Sequence, residues 1–345
     1  MLAWTRLRAG IDPLLASCLW GGMYVVSRAG FGLIPPVTLG ALRVIIGGAA
    51  LTLALWLAAR RNPKLAAPTQ LPWTSGDRWR AIALGGIVAA TIITQFLGTA
   101  LASAHDGALL TTITPVFVVV LAWMLLGERP HWPVVAGMLL ALVGVAIVVA
   151  AQTATDSGNP ANREVALLGD GLLILSALCW ALFTVVGAPL IRRHSALVAA
   201  TSATRWSVLF MLPAAVIELA LRNDWRALSL TPGAVGAVLY LGLGATALAW
   251  FLWYRGIAHM EAGVASIYFF AQPVVGGLLA GIFLHEALPA AFWLGGLVLA
   301  AGSMNSKLQR VAEVAATSAE CLRISGAPTT VKSAQQRAES SSIPS

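Results

Sequence analysis

The chain has 345 residues, of which 58% are hydrophobic and 10% are charged, whereas about a quarter of the residues of an ordinary soluble domain are charged. So few charges cannot coat a soluble globule of this size, which excludes a cytosolic enzyme, a coiled coil and a disordered chain. The net charge of +8 does not indicate nucleic-acid binding, because Lys and Arg lie in short stretches between apolar runs, as they do at cytoplasmic membrane surfaces.

Ten apolar stretches are each long enough for a helix that crosses a bilayer core, which takes about 20 residues. Strands of a membrane barrel would alternate apolar and polar residues over about ten positions, and these stretches do not alternate. The sequence therefore predicts an all-α integral membrane protein with ten transmembrane helices. We number the predicted spans 1 to 10 in chain order: 13–34, 37–59, 80–101, 107–127, 133–151, 168–189, 196–220, 232–253, 261–283 and 289–306.

The segments between the spans predict the orientation. With the N-terminus inside, the inner segments and inner span ends up to residue 310 hold thirteen Lys and Arg residues, and the outer segments and outer span ends hold four. This positive-inside bias predicts a multi-pass protein of the plasma (inner) membrane with both termini cytoplasmic. Arg6 and Arg8 precede span 1 as in a signal peptide, but the apolar run is too long and has no clean cleavage site, so we expect a retained helix.

The two halves of the chain resemble each other at a fixed offset. Residues 114–128, which begin Thr-Pro and end Gly-Glu, align with residues 272–286, which begin Gln-Pro and end His-Glu, at an offset of 158. The sequence therefore contains an internal repeat. Outside this block, Trp20 matches Trp180, Arg43 matches Arg205 with a two-residue slip, Gly137 matches Gly295 and Gly144 matches Gly302.

Each repeat holds five predicted helices, and this odd number decides the architecture. If the first repeat starts inside, the second starts outside, so the repeats are inverted about an axis in the membrane plane. Inverted repeats recur in secondary transporters, whose substrate site lies between the halves. The predicted organisation is a cytoplasmic N-terminus (1–11), a first repeat (12–151), an external linker (152–167), a second repeat (168–306) and a largely disordered cytoplasmic tail (307–345).

Over about residues 12–306 the chain resembles the ten-helix EamA-type branch of the drug/metabolite transporter superfamily. The resemblance implies transport of amino acids or other small metabolites, and it implies that spans 1, 3, 4, 6, 8 and 9 line a central cavity. His285 departs from the family, which usually has Gly before this Glu. The matching motifs are Leu19-Trp20-Gly21, Leu42-Arg43, Pro115, Gly127-Glu128, Gly137 and Gly144, with Pro273, Glu286, Gly295 and Gly302 in the second copy.

The sequence contains none of the catalytic or nucleotide-binding motifs that were sought. It has no His-Glu-x-x-His, no Gly-x-Ser-x-Gly and no phosphate-binding loop ending in Lys-Ser/Thr, which favours secondary transport over ATP-driven transport. The three cysteines indicate neither a disulfide framework nor a zinc site. We therefore predict no catalytic residue, no metal and no cofactor.

Polar and aromatic side chains recur three or four residues apart within several spans, which places them on shared helix faces. Such a face either lines a binding cavity or holds helices together, and Trp and Tyr also anchor at the membrane interface. We predict that ten neutral side chains bind substrate: Trp20, Tyr24, Thr91, Gln95, Thr114, Trp180, Thr184, Trp250, Tyr268 and Gln272.

Six further candidates belong to the repeated motifs. A proline in spans 4 and 9 removes a helix hydrogen bond, which favours a hinge, with a fixed kink as the alternative. A glutamate closes each of these spans and opposes the helix dipole, so it needs a partner. An arginine within spans 2 and 7 favours a structural role, with binding of an anionic substrate group as the alternative. The hinge candidates are Pro115 and Pro273, and the structural candidates are Arg43, Glu128, Arg205 and Glu286.

These features predict a secondary transporter that exports a small polar or amphipathic metabolite, such as an amino acid, by alternating access between two inverted repeats. The alternatives are a facilitative, channel-like permease and, more weakly, a membrane-embedded enzyme. The predicted partners are a small-molecule substrate and the lipid bilayer, and not nucleic acid. The sequence leaves the substrate identity, the coupling ion and the oligomeric state open.

Overall fold

The computed structural model describes residues 2–61, 73–102, 107–129 except 109, isolated positions from 132 to 143, 160–222, 231–259 and 262–283. Glu286, span 10 and the tail lie outside the described residues, and so does most of span 5. The helices of the described part are α1 (Leu2–Gly30), α2 (Pro36–Arg61), α3 (Ser75–Leu101), α4 (Thr114–Leu126), α5 (Pro160–Arg193), α6 (Ala196–Arg222), α7 (Pro232–Ile257), α8 (Ala262–Ser266) and α9 (Ala271–Phe283).

Six helical segments in the described part are long and apolar enough to cross a membrane. They are α2, α3, α6 and α7 with residues 164–193 of α5 and residues 264–283, which include α9. Large apolar side chains stay exposed along the outer faces of these helices, such as Leu209 and Ile217 on α6. Lipid is the solvent that such a surface needs, and the chain is a multi-pass membrane protein.

Local sequence signals fix several helix ends. Thr74 and Asp77 form a reciprocal capping box at the start of α3, which satisfies two backbone N–H groups that the first turn leaves free. Thr231 caps α7, whose first residue is Pro232. Gly127 ends α4 with a positive φ of 69°, a conformation that glycine adopts without strain. The Gly127-Glu128 motif therefore stops a helix, as the sequence predicts.

The helix pairs follow the repeat. α2 packs against α6, α3 against α5 and α6, α1 against α7 and α9, α2 against α7, and α4 against α5. If α1, α2, α3 and α4 are exchanged for α5, α6, α7 and α9, the α2–α6 pair maps onto itself and each other pair becomes another pair in the same set. The two repeats therefore use equivalent helices for equivalent contacts.

α2 and α6 are equivalent helices, and they run antiparallel. Thr38, near the start of α2, donates to the carboxylate of Glu218 near the end of α6 at 2.7 Å (backbone N) and 2.8 Å (Oγ1). Thr201, near the start of α6, donates to the backbone oxygen of Leu51 in the second half of α2 at 3.4 Å. Parallel repeats would place equivalent helices parallel, whereas inverted repeats require this antiparallel course.

Glycines allow the closest helix contacts. A Cβ atom added to Gly21 would lie 2.8 Å from the backbone oxygen of Gln272 and 2.9 Å from Cβ of Val275. A Cβ atom added to Gly98 would lie 2.9 Å from the backbone oxygen of Gly169. The contacts of α1 with α9 and of α3 with α5 therefore depend on small residues, as is common between membrane helices.

Candidate functional site

A cavity lies between the two repeats, at the centre of the described helices. The cavity is narrow in this conformation and is partly open to its surroundings. Helices of both repeats contribute to its wall. The lining residues are Trp20, Met23, Tyr24, Arg43, Val88, Thr91, Ile92, Gln95, Thr111, Thr114, Ser176, Ala177, Trp180, Trp250, Phe269 and Gln272.

The structure brings most of the predicted binding residues together here, but not Thr184 and Tyr268. Thr184 is fully buried on α5, one turn beyond Trp180, and is not among the lining residues. Tyr268 lies in the 3₁₀ turn Ile267–Phe270, with its hydroxyl beside Gly10. The remaining eight predicted binding residues line the cavity.

The 3₁₀ turn explains why Phe269 replaces Tyr268. Side chains three residues apart align along a 3₁₀ turn, whereas an α-helix aligns those three and four apart. Phe269 thus shares a face with Gln272, and both line the cavity. The sequence pattern assumed α-helical spacing and therefore selected Tyr268, four residues before Gln272.

Both candidate hinge prolines follow a 3₁₀ turn. Thr111–Ile113 precedes α4, and Pro115 lies in its first turn. Ile267–Phe270 precedes α9, in which Pro273 is the third residue. A proline in a first helical turn sacrifices little, because the N–H groups there have no intrahelical partner. The prolines thus mark the start of an α-helical segment, next to cavity residues, and their role as hinges stays a prediction.

A hydrogen-bonded chain crosses the first repeat at the cavity wall. Gln95 on α3 donates through Nε2 to the Tyr24 hydroxyl at 2.9 Å, and the Tyr24 and Thr111 hydroxyls share a bond of 2.7 Å. Thr111 also donates to the backbone oxygen of Gly107 at 2.6 Å. Since Thr111 has a single hydroxyl proton, Tyr24 is the donor to Thr111. These hydrogen bonds fix the orientation of Tyr24, Gln95 and Thr111, all of which line the cavity.

Arg43 is the charged residue of the described cavity wall. It is 2% exposed and donates to Thr246 Oγ1 at 2.7 Å, to the backbone oxygen of Ala245 at 3.3 Å and to Sδ of Met23 at 2.8 Å. One of these acceptors is a helix carbonyl, and the structural role that the sequence favours stays a prediction. Because Arg43 also lines the cavity, the wall is not made of neutral groups alone.

The two other structural candidates that the structure describes lie away from the cavity. Arg205, the repeat equivalent of Arg43, is exposed and donates to Thr52 Oγ1 at 3.2 Å. Glu128 pairs with Arg192 at 3.0 Å, which provides the partner that a glutamate at a helix end needs.

A π-helical segment of α7, Tyr240–Leu248, supplies two of the three acceptors for Arg43. Thr246 donates back to the oxygen of Leu241, five residues earlier, at 2.8 Å. The backbone oxygen of Ala245 accepts from Arg43 and also from Nε1 of Trp20 at 2.9 Å. Such π-helical segments occur frequently at functional sites. No pattern in the sequence predicted the π-helical segment of α7.

Aromatic rings form one side of the wall. Trp20 contacts Trp180 edge-on with ring centroids 5.0 Å apart and stacks on Phe269 at 5.5 Å. Trp180 also contacts Trp250 at 6.0 Å. Within the described part of the chain, Nε1 of Trp180 and Nε1 of Trp250 have no hydrogen-bond acceptor, although both atoms are buried. Buried indole N–H groups usually have a partner, and the described residues provide none for these two.

The described wall offers no evident catalytic chemistry. None of its described lining residues is Asp, Glu, His or Cys, so it holds no nucleophile with an adjacent base of the kind that covalent catalysis uses. Among the described residues, no group of three His, Cys, Asp or Glu side chains could hold a metal ion.

Comparison with known proteins identifies the family. The model of the EamA-like transporter family matches twice, over residues 13–150 and 167–305. The chain is 27% identical over 84% of its length to the "Uncharacterized transporter YetK" of Bacillus subtilis (84% of which is covered) and 25% identical over 85% of its length to the "Probable amino-acid metabolite efflux pump" of Escherichia coli (92% covered). A solved crystal structure shares the fold with a TM-score of 0.66, at 22% identity, covering 87% of this chain and 96% of that chain. The chain therefore belongs to the EamA-like transporter family and is a membrane transporter, not an enzyme.

Proposed function

We propose that this transporter exports a small polar or amphipathic metabolite, such as an amino acid, by secondary transport through the cavity between its repeats. The observation that carries the proposal is the cavity wall, to which equivalent helices of both repeats contribute hydrogen-bonding and aromatic side chains. The name of the Escherichia coli relative, an amino-acid metabolite efflux pump, supports both the substrate class and the direction.

The proposed architecture is ten transmembrane helices in two inverted five-helix repeats, 12–151 and 168–306, with both termini in the cytoplasm. The antiparallel contact of α2 with α6 and the reciprocal helix pairs support the inversion. Inverted repeats allow alternating access, because the two similar halves can exchange conformations across the membrane.

In the proposed cycle, the substrate binds between the Tyr24–Gln95 side of the first repeat and the Trp180–Gln272 side of the second. The repeats then rock around it and open the cavity to the opposite face of the membrane. The 3₁₀ turns before Pro115 and Pro273 are the proposed pivots, since a short 3₁₀ stretch within a helical segment often marks a hinge.

Counterflow in proteoliposomes tests the transport cycle. Vesicles containing the purified protein are loaded with an unlabelled mixture of L-leucine, L-phenylalanine and L-threonine, and uptake of the same amino acids in labelled form is measured. A carrier takes up label above the equilibrium level when it is preloaded, whereas a channel-like permease only equilibrates. Lack of both preload-stimulated uptake and leak would reject this substrate class.

Two variants connect transport to the cavity. We expect Gln95→Ala and Gln272→Ala to impair counterflow while the protein still inserts into membranes, because both side chains line the wall. Thr184→Ala is the matched control, since Thr184 is buried on the same helix as Trp180 but lies outside the cavity. Unchanged transport in both glutamine variants would remove these residues from the site.

A further inference from the structure

We propose that the transported molecule carries a single carboxylate and that Arg43 binds it, with the indole N–H groups of Trp180 and Trp250 as further donors. This inference rests on the proposed transport function and specifies the chemistry of its substrate. It assigns to Arg43 a role in recognition in addition to its bonds to α7.

The first argument is the burial of an unpaired charge. Arg43 is 2% exposed, and no described Asp or Glu forms an ion pair with it. A buried guanidinium without a counter-charge is strongly unfavourable, and its neutral acceptors compensate only in part. A ligand carboxylate in the adjacent cavity provides the missing negative charge.

The second argument is the number of donors that Arg43 has left. A guanidinium has five N–H groups, and the described structure gives one acceptor to each of its three nitrogens. Each terminal nitrogen therefore keeps one N–H group without an acceptor among the described residues. One of the three acceptors is the thioether of Met23, which is weak. Two N–H groups on the terminal nitrogens suit the two oxygens of a carboxylate.

The third argument is the kind of polar group that the wall leaves unpaired. The buried Nε1 atoms of Trp180 and Trp250 have no acceptor in the described part of the chain. Like guanidinium, indole can donate but cannot accept a hydrogen bond. These free donors, together with the absence of any acidic residue from the described wall, favour a ligand rich in acceptor oxygens over a purely cationic one.

Charge balance limits the ligand to one negatively charged group. Arg43 is the single Lys or Arg residue among the described lining residues, so a second buried negative charge on the ligand would have no partner. The rest of the ligand faces Trp20, Trp180, Trp250 and Phe269. These rings suit an apolar group, and their faces also attract an ammonium group. A monocarboxylic amino acid with an apolar side chain meets these requirements.

The experiment compares acids with their amides on the purified full-length protein. The probes are L-leucine and L-phenylalanine against L-leucinamide and L-phenylalaninamide, which replace the carboxylate by a neutral amide of nearly the same shape. Binding is followed by tryptophan fluorescence, because three indoles line the cavity. We expect at least one acid to bind, and its amide to bind at least about tenfold more weakly. This comparison requires no substitution, so it holds even if a variant fails to fold.

Arg43→Gln identifies the residue responsible. We expect it to weaken the binding of the acid at least about tenfold and to abolish the preference for acid over amide. Arg205→Gln is the matched control, because it changes the equivalent arginine, which is exposed and outside the cavity, and it should bind like the wild type. A melting curve in detergent checks that each variant is folded.

The possible outcomes separate this inference from the proposed function. If acids and amides bind equally, or if folded Arg43→Gln binds the acid like the wild type, the role of Arg43 is overturned while the transport proposal stands. If neither series binds and none of the probes is exchanged by vesicles, both proposals fail together. A preference for acids that disappears in Arg43→Gln and persists in Arg205→Gln supports the inference.

Discussion

The two repeats place the same residue types at equivalent positions but bond them differently. Trp20 donates its indole N–H to the backbone oxygen of Ala245, whereas the N–H of Trp180 has no acceptor in the described structure. Arg43 is buried at the cavity, whereas Arg205 is exposed. The repeat therefore preserves the scaffold, while the bonding partners of each copy decide which groups hold the protein together and which can contact a ligand.

The starts of α2 and α6 show the same difference. The N-terminus of α2 is capped from the other repeat, because Glu218 accepts hydrogen bonds from the backbone N–H groups of Val37 and Thr38 at 3.2 and 2.7 Å. The N-terminus of α6 is capped locally by Ser195, which accepts from the backbone N–H of Val198 at 3.2 Å. The Glu218 cap joins the two repeats, whereas the Ser195 cap lies within a single repeat. The two caps should therefore contribute differently to the stability of the protein.

The largest effect is expected at these caps. Glu218→Ala removes the acceptor of three donors on two buried residues, Val37 and Thr38, and should destabilise the protein by about 3 kcal/mol. Ser195→Ala removes one local cap and should cost about 1 kcal/mol. Thermal denaturation in detergent measures both losses. Equal losses would show that the bond between the repeats adds nothing beyond an ordinary cap.

The next effect concerns the residue after each matched tryptophan. Gly21→Ala would place a methyl group 2.8 Å from the backbone oxygen of Gln272, and such overpacking costs about 2 kcal/mol. The equivalent position holds Ala181, which is fully buried against Val118 and Ala122, and Ala181→Gly should cost about 1 kcal/mol through helix propensity. Melting curves give the stability, and counterflow should also fall in Gly21→Ala because α9 carries Gln272. A more stable Gly21→Ala protein would contradict the α1–α9 contact.

A smaller effect separates the two indoles. Trp20→Phe and Trp180→Phe remove nearly the same volume, but only the first removes a described protein hydrogen bond. The stability loss in Trp20→Phe should exceed that in Trp180→Phe by about 1 kcal/mol. Trp180→Phe should instead weaken the binding of the amino-acid probes. If Trp180→Phe loses stability as much as Trp20→Phe and binds the probes normally, its N–H has a structural partner and no role in recognition.

The sequence predicted the cavity wall well where the helices are regular. Trp20 and Tyr24 on α1, like Thr91 and Gln95 on α3, lie four residues apart and line the cavity together, because each pair lies on one face of an α-helix. The α-helical spacing rule selected Tyr268 and missed Phe269, because a 3₁₀ turn changes which side chains align.

Arg43 shows a second limit of the sequence. The sequence indicated that Arg43 lies within a span, but it did not indicate its partners. These are Thr246 and Ala245 on α7, about 200 residues later in the chain. The acceptors come from a π-helical segment that no spacing rule predicts. Long-range pairing of buried polar groups depends on how the helices pack, which hydropathy and periodicity do not specify.

The smallest effect is expected for the ion pair that closes α4. Glu128 contacts Arg192 at 3.0 Å, and the Arg192 side chain is 51% exposed, so Glu128→Gln should change the stability by no more than about 0.5 kcal/mol. Asp12 differs, because it is 5% exposed and accepts two bonds of 2.5 Å from Arg255, which joins α1 to α7. Asp12→Asn should therefore cost more, about 1 kcal/mol after allowing for the exposure of Arg255. Melting curves of both variants at low and high salt measure this difference, since salt screens the exposed pair more strongly. A larger loss in Glu128→Gln would mean that the glutamate of the repeated motif does more than pair with Arg192 at the surface.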